Sequence, residues 1–389
     1  ALVDELVAKD TLTSDEQRIV DAYNAFLDTD AIDAKGLQPA YPYMTAIATA
    51  SSLEDLAKLW GRPGYPSPVG GFVNVDAKQS DQYVVYMGVG GIGLPDRDYY
   101  TDTSEKGMEI QAQYREYLTF LMKEAGYSDP EQAAMAVYQF EERLAREVLW
   151  DRTVSRNRDL TYNAFTPAEL TEMADGFPLE TVLKEIGFDA SPKFVIGAVP
   201  PSEERAKELG LTEETLSKIG TGMPGMFKVL QETGLPTLQA WTMKGFLSNN
   251  SGVLPSKFDE ASFEFYGKKL RGTPEQRPRW KRAISATEGA LGELVGKSYV
   301  ERYFPPESKA AMDELVANLR VAMAESISEI DWMGDATKVE ARAKLGTFDP
   351  KIGYRDNLET YEGLAITGDD PLANSIAAEA WSLKDNVSK

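Results

Sequence analysis

The 389-residue chain contains no histidine and no cysteine, and its 62 acidic against 41 basic residues give a formal charge of -21. Without those two side chains it holds no zinc finger, no H-E-x-x-H helix, no Cys-His or Ser-His-Asp catalytic unit and no disulfide. Its acidity argues against nucleic acid or an anionic membrane surface as the main partner. A hydrophobic share of 42% with 26% charged residues is that of a folded globular protein, and the absence of any run of about 18 apolar residues excludes a predicted membrane span.

The length exceeds what one core usually fills, so two lobes or one elongated lobe are expected. Near the start, Asp28, Asp30 and Asp33 imitate the first positions of a calcium loop. Asp33 stands where that loop needs glycine and Pro39 where it needs a bidentate glutamate, so a solvated helix end is expected. From 69 to 87 the runs GGFVNVD and QYVVYM alternate in the strand manner around a polar stretch at 77–81, which predicts a β-hairpin. Gly88, Gly90 and Gly93 then spell G-x-G-x-x-G, but Leu94, Pro95 and Asp96 follow where a helix must open, so the glycines predict a turn and no dinucleotide site.

Helical periodicity dominates the rest. Stripes at 108–125 and at 131–149, the latter through Met135, Tyr138, Leu144 and Val148, predict core-facing helices. Glu147 and Asp151 form E-x-x-x-D, a metallopeptidase spacing that without a histidine pair reads as the coincidence of a charged helix. Residues 189–202, with Pro192, Gly197, Pro200 and Pro201, are the best linker candidate, and a second break at 247–257 precedes a helix carrying Phe258, Phe263, Phe265 and Tyr266. Between 306 and 333, Met312, Leu315, Val316, Leu319, Met323, Ile327 and Ile330 form one apolar stripe, started by Pro305 and Pro306 and expected to face a core.

Carboxylates such as Glu141, Glu142, Asp369 and Asp370 offer the pairs that glycoside hydrolysis requires, and nothing in their spacing selects among them. Around Trp280, the residues Arg277, Arg279, Lys281 and Arg282 are expected to pair with the acidic excess. Asp96, Arg97 and Asp98 predict a hydrogen-bonded turn, with Tyr99, Tyr100 and Trp332 packed in the core.

Longer strings carry more. Gly93-Leu94-Pro95-Asp96-Arg97-Asp98-Tyr99-Tyr100 resembles the GLPDRDYY segment of the neprilysin and endothelin-converting enzyme family of zinc metalloendopeptidases, in particular its bacterial oligopeptidase branch. The resemblance continues in order through Asp76-Ala77-Lys78 with Tyr83, Thr161-Tyr162-Asn163, Phe263-Glu264-Phe265-Tyr266-Gly267 and Glu275 to Arg282. It extends through Val295 to Val300, Asp331-Trp332-Met333, Thr337-Lys338 and Lys351-Ile352-Gly353-Tyr354, and so spans nearly the whole chain. Arg355 departs from it, standing where relatives usually have proline.

The resemblance implies a mainly α fold: a multi-helical, lid-forming lobe with a small β-hairpin near 70–87. Residues 1–389 would be the N-terminal, cavity-forming region of a two-lobed peptidase. In such relatives the Asn-Ala-Tyr or Asn-Ala-Phe segment, the H-E-x-x-H and E-x-x-x-D zinc helices and a late histidine follow the matched region, while a carboxylate-binding arginine precedes it. No catalytic, cofactor-binding or metal-binding residue is therefore assigned within this chain. Zinc is expected in the complete enzyme, held by residues outside it on a second polypeptide, with peptides as substrates and a periplasmic or secreted setting. The alternative is a stand-alone peptide-binding or inhibitory module derived from the same family.

Overall fold

The computed structural model describes residues 2–355 and 357–389. They divide into two compact units, one made of the described residues within 2–24 and 280–363 and one of residues 25–279 with 364–389.

The larger unit is helical around one small sheet. Its most enclosed element is the Leu235–Asn249 helix, whose buried residues run almost all the way round: Leu238, Trp241, Met243, Phe246 and Leu247, together with Thr242 and Lys244. A helix apolar on every side belongs in a core, and this one packs against the Glu105–Glu124 and Pro130–Arg143 helices. Ser104 caps the first by accepting the Gly107 N–H, and Asp129 caps the second by accepting that of Gln132 just before Pro130, each satisfying a donor that a helix start leaves free. Inside the core, Trp60 Nε1 donates to Thr242 Oγ1 at 3.0 Å, and that hydroxyl donates in turn to the Leu238 carbonyl.

The hairpin stands where the alternation places it, as β1 (Val69–Val75) and β2 (Tyr83–Val89), paired antiparallel from Val69 with Val89 to Val75 with Tyr83. It is half of a larger sheet. β3 (Asn163–Phe165) and β4 (Phe194–Ile196) extend it in the order β1-β2-β4-β3, with β4 parallel to β2 and antiparallel to β3. Residues 189–202, expected as a linker, thus carry a fully buried strand inside the larger unit, and the boundaries between units fall elsewhere. The chain closes this unit from far away: the Pro371–Val387 helix buries Leu372 and Ile376, and the Asn386 amide both accepts from the Val73 N–H (2.7 Å) and donates to the Val73 carbonyl (3.0 Å) along β1.

The smaller unit holds the Leu2–Val7 helix, most of the Ser14–Leu27 helix and the Arg279–Tyr303, Pro306–Glu329 and Asp335–Gly346 helices. Tyr361 is buried, its carbonyl accepting from Arg18 and its hydroxyl from the Glu293 N–H at 3.1 Å. Arg355 pairs with Glu293 at 3.0 Å.

Two expectations are overturned here. The stripe on the Pro306–Glu329 helix does not face a core: Ile327 alone is buried, whereas Met312, Leu315, Leu319 and Met323 are 42%, 49%, 59% and 55% exposed. Trp332, expected in the core, is 78% exposed. The periodicity reported an amphipathic helix correctly, but it carries no information on what covers the apolar side.

Candidate functional site

The segment between β2 and the Asp98–Thr101 helical turn meets a buried polar cluster. Gly90 and Gly91 leave the sheet, Gly91 with φ of 103°, and no helix opens at Gly93, so the glycines form the turn expected of them. The Gly93 N–H reaches Glu141 Oε2 (3.2 Å) and the Tyr100 hydroxyl (3.1 Å), while its carbonyl accepts from Tyr266 Oη (3.1 Å). A Cβ at Gly93 would stand 1.8 Å from the Tyr114 hydroxyl; close approach, and no phosphate, accounts for this glycine.

Glu141 is fully buried. Its Oε2 accepts from the hydroxyls of Tyr100 and Tyr114, both at 2.7 Å, and its Oε1 faces the Lys244 ammonium at 2.5 Å. Burial, with the adjacent Glu141 charge, pushes both phenols well above their ordinary range, so each remains a neutral donor to the carboxylate. Oε2 is saturated by these donors, whereas Oε1 is buried with the Lys244 ion pair as its close contact and no hydrogen bond of its own. The carboxylate anchors the loop.

The turn expected at 96–98 forms: Asp96 Oδ1 takes the Asp98 N–H (3.2 Å) and the Asp96 carbonyl takes that of Tyr99. Tyr100 is buried and Tyr99 half-buried. Across the sheet, Asp76 is buried beside Lys193 (2.6 Å) and Tyr162 (2.8 Å). Burial alone would raise its carboxyl, but Lys193, the Lys78 N–H and the Tyr162 hydroxyl together bring it down to about 2.

Beside the glycine turn opens a cavity of about 420 Å³, bordered by β2 at Gly88 and Val89, by Ile92, Pro95, Asp96 and Arg97, and by the loop that carries Trp150, Arg152 and Ser155. That volume lies within the range of ligand clefts. Arg97 donates to the Leu149 carbonyl (2.8 Å), while its buried Nε has no hydrogen-bond partner and lies 3.8 Å from Asp98. Charged, aromatic and apolar groups converge in this recess, and no spacing in the sequence announced it, because its walls come from three separate segments.

The remaining candidates do not assemble. Asp28 caps the Thr29–Lys35 helix by accepting from Ala31, as a solvated helix end. Glu147 lies in a π-turn (Leu144–Val148) and pairs with Arg143, while Asp151, beyond that turn, accepts from Thr153. Glu142 pairs with Arg146, Asp369 with Lys35, and Asp370 caps the last helix. Arg279 pairs with Asp259 at 3.3 Å and lies over the Phe26 ring, and Lys281 lies over the Trp280 ring. Among the described residues, no three acidic side chains gather closely enough to hold a metal ion.

Fold and loop together define the class. Residues 1–355 match the model of peptidase family M13, and the chain belongs to the N-terminal region of that family. The zinc metalloprotease ZMP1 of Mycobacterium tuberculosis, in its open state, superposes on the whole chain with a TM-score of 0.86 at 30% identity, the match covering 57% of that protein. Human endothelin-converting enzyme 1 is 27% identical over 291 residues, covering 73% of this chain and 35% of the enzyme. Mouse neprilysin is 24% identical over 392 residues, covering 92% of this chain and 50% of that protein. The chain thus spans about a third to a little over half the length of the relatives it matches.

Proposed function

We propose that this chain is the cavity-forming, non-catalytic part of a zinc metalloendopeptidase, enclosing the active site and admitting peptides, with the zinc site supplied by a second polypeptide. The observation that carries this reading is the uncovered apolar face of the smaller unit, made by Met312, Leu315, Leu319 and Met323, with Trp332, Val339 and Phe348 also exposed. An apolar surface of that extent on a folded protein is normally an interaction surface. Zinc held by the other polypeptide would supply the activated water for amide hydrolysis, and this chain would limit which peptides reach it. Its setting would be periplasmic or secreted, a reading that rests on the family resemblance.

Native mass spectrometry of the purified assembly, with zinc analysis and a peptide-cleavage assay, tests this. The expected result is a complex of two chains with one zinc per complex and hydrolysis that the isolated chain lacks. Leu319→Glu should dissociate it while leaving the chain folded. A single monodisperse chain that binds no zinc and gains no activity from any partner would sink the proposal. It would favour the second reading, a stand-alone peptide-binding module, for which the cavity beside Arg97 speaks.

A further inference from the structure

We propose that loop 150–161 and the cavity it borders bind peptide carboxylates, an acidic-peptide site that selects among the peptides admitted under the reading above, on which this inference rests. The loop is fixed from beneath. Trp150, Val154 and Leu160 are buried in a small separate core against Ala198, Leu209, Leu211 and Ile219. Trp150 Nε1 donates to the Gly220 carbonyl at 2.9 Å, and the Asp151 N–H to that of Lys218 at 2.9 Å. Gly220 lies so close that a Cβ would meet the Val148 carbonyl oxygen at 2.4 Å. Asn157 ties the far end, its side chain accepting from the Asp159 N–H and its carbonyl from that of Thr161.

With its apolar residues committed inward, the loop presents Arg152, Arg156 and Arg158 to solvent. In a chain with 62 acidic and 41 basic residues, most cations find a carboxylate, yet among the described residues none of these three side chains is in an ion pair or hydrogen bond, Arg152 taking part only through its carbonyl, which accepts from the Ser155 hydroxyl. Of the loop's two acids, Asp151 Oδ1 takes both the N–H and the hydroxyl of Thr153, while Asp159, beside Arg158, is exposed to solvent. Lys218 is likewise taken, by Glu214 at 2.7 Å. Arg152 borders the cavity, and Arg97 borders it with a buried Nε that lacks a hydrogen-bond partner.

Guanidinium groups suit carboxylates because their planar fork donates two parallel hydrogen bonds. Trp150, Pro95 and Ile92 provide an apolar wall for the methylene stem of a glutamate or for a C-terminal side chain. Asp96, the one carboxylate on the rim, accepts the Asp98 N–H and disfavours a second anion only on its own side. The chemistry therefore points to a peptide carboxylate, from an acidic side chain or from a free C-terminus.

Calorimetric titration of the chain, with no zinc or partner needed, separates these sources with three probes: C-terminally amidated hexaglutamate, amidated hexaglutamine and hexaglutamine with a free C-terminus. Amidated hexaglutamate should bind about tenfold tighter than amidated hexaglutamine, the size of one charge-assisted contact, and should weaken as salt rises. If only the free-acid peptide shows the gain, the carboxylate recognised is the C-terminal one. Arg152→Glu, at the residue that borders the cavity, should abolish the gain, while Arg271→Glu, a charge-matched control elsewhere on the surface, should keep it. Equal binding of all three probes, or a loss in R271E as large as in R152E, would overturn the proposal. Because the readout is binding to this chain alone, it stands or falls independently of whether a zinc-bearing partner restores hydrolysis.

Discussion

Glu141 and Lys244 bury opposite charges against each other in the larger unit, and the two tyrosines that serve the carboxylate make this an all-or-nothing arrangement. Removing one charge strands the other, at a cost of about 3–5 kcal/mol, whereas replacing both with apolar groups of similar size is often neutral or better. Glu141→Gln should therefore lower the urea midpoint sharply, and Glu141→Leu combined with Lys244→Met should recover much of the loss. Gly93→Ala should cost about 1–3 kcal/mol by overpacking, measured the same way, because the Tyr114 hydroxyl occupies the place of its Cβ. Asp76 adds a pH signature. Its carboxyl is held at about 2 against an ordinary 3.8, so the stability it contributes is complete above the ordinary value and is lost as pH falls through the lower one. Acid titration of Asp76→Asn, followed by circular dichroism, should show a shallower decline in that window than the parent. None of these roles was legible in the sequence. Tyr114 and Tyr100 lie 27 and 41 positions from Glu141, beyond any helical or strand period, so the carboxylate looked like one acid among many.

Regular elements were far more legible, because period reports local conformation directly. The hairpin and the helices at Glu105–Glu124, Pro130–Arg143 and Pro306–Glu329 lie where alternation and apolar spacing put them. β4 escaped notice because Phe194, Val195 and Ile196 are a three-residue apolar run buried on both sides, too short to show a period of two and set among prolines that suggest a loop. The π-turns at Leu144–Val148 and Phe263–Lys269 differ from α-helix by one hydrogen-bond step that leaves no mark in residue type. The exposed stripe of the Pro306–Glu329 helix gives a prediction at this scale. Leu319→Glu should change the stability of the isolated chain by no more than about 0.5 kcal/mol, as surface substitutions do, in contrast to the several kcal/mol expected of a charge in a core. A thermal denaturation curve distinguishes the two.

For the molecule as a whole, the missing histidines and cysteines remove every side chain with an ordinary titration between about pH 6 and 8. The melting temperature should stay flat across that interval. It should drop on the acid side, where carboxylates held low by hydrogen bonds, among them Asp33, Asp55 and Asp151, must protonate. The alkaline side should fall once the pH passes the ordinary phenol value near 10, because Tyr100, Tyr114 and Tyr127 are raised in the fold and ionise first in the unfolded chain. Scanning calorimetry across the three ranges checks all of this. The fold class and family were legible from strings of consecutive residues, whereas the division into units was not, because its boundaries lie inside helices and loops of unremarkable composition. That division also sets an order of events during synthesis. The larger unit begins at residue 25 but is closed along β1 by Asn386, so a ribosome must deliver the whole smaller unit before the first sheet edge receives its last hydrogen bonds. Until then the nascent chain carries an open strand edge, the kind of surface that recruits a chaperone or a neighbouring copy.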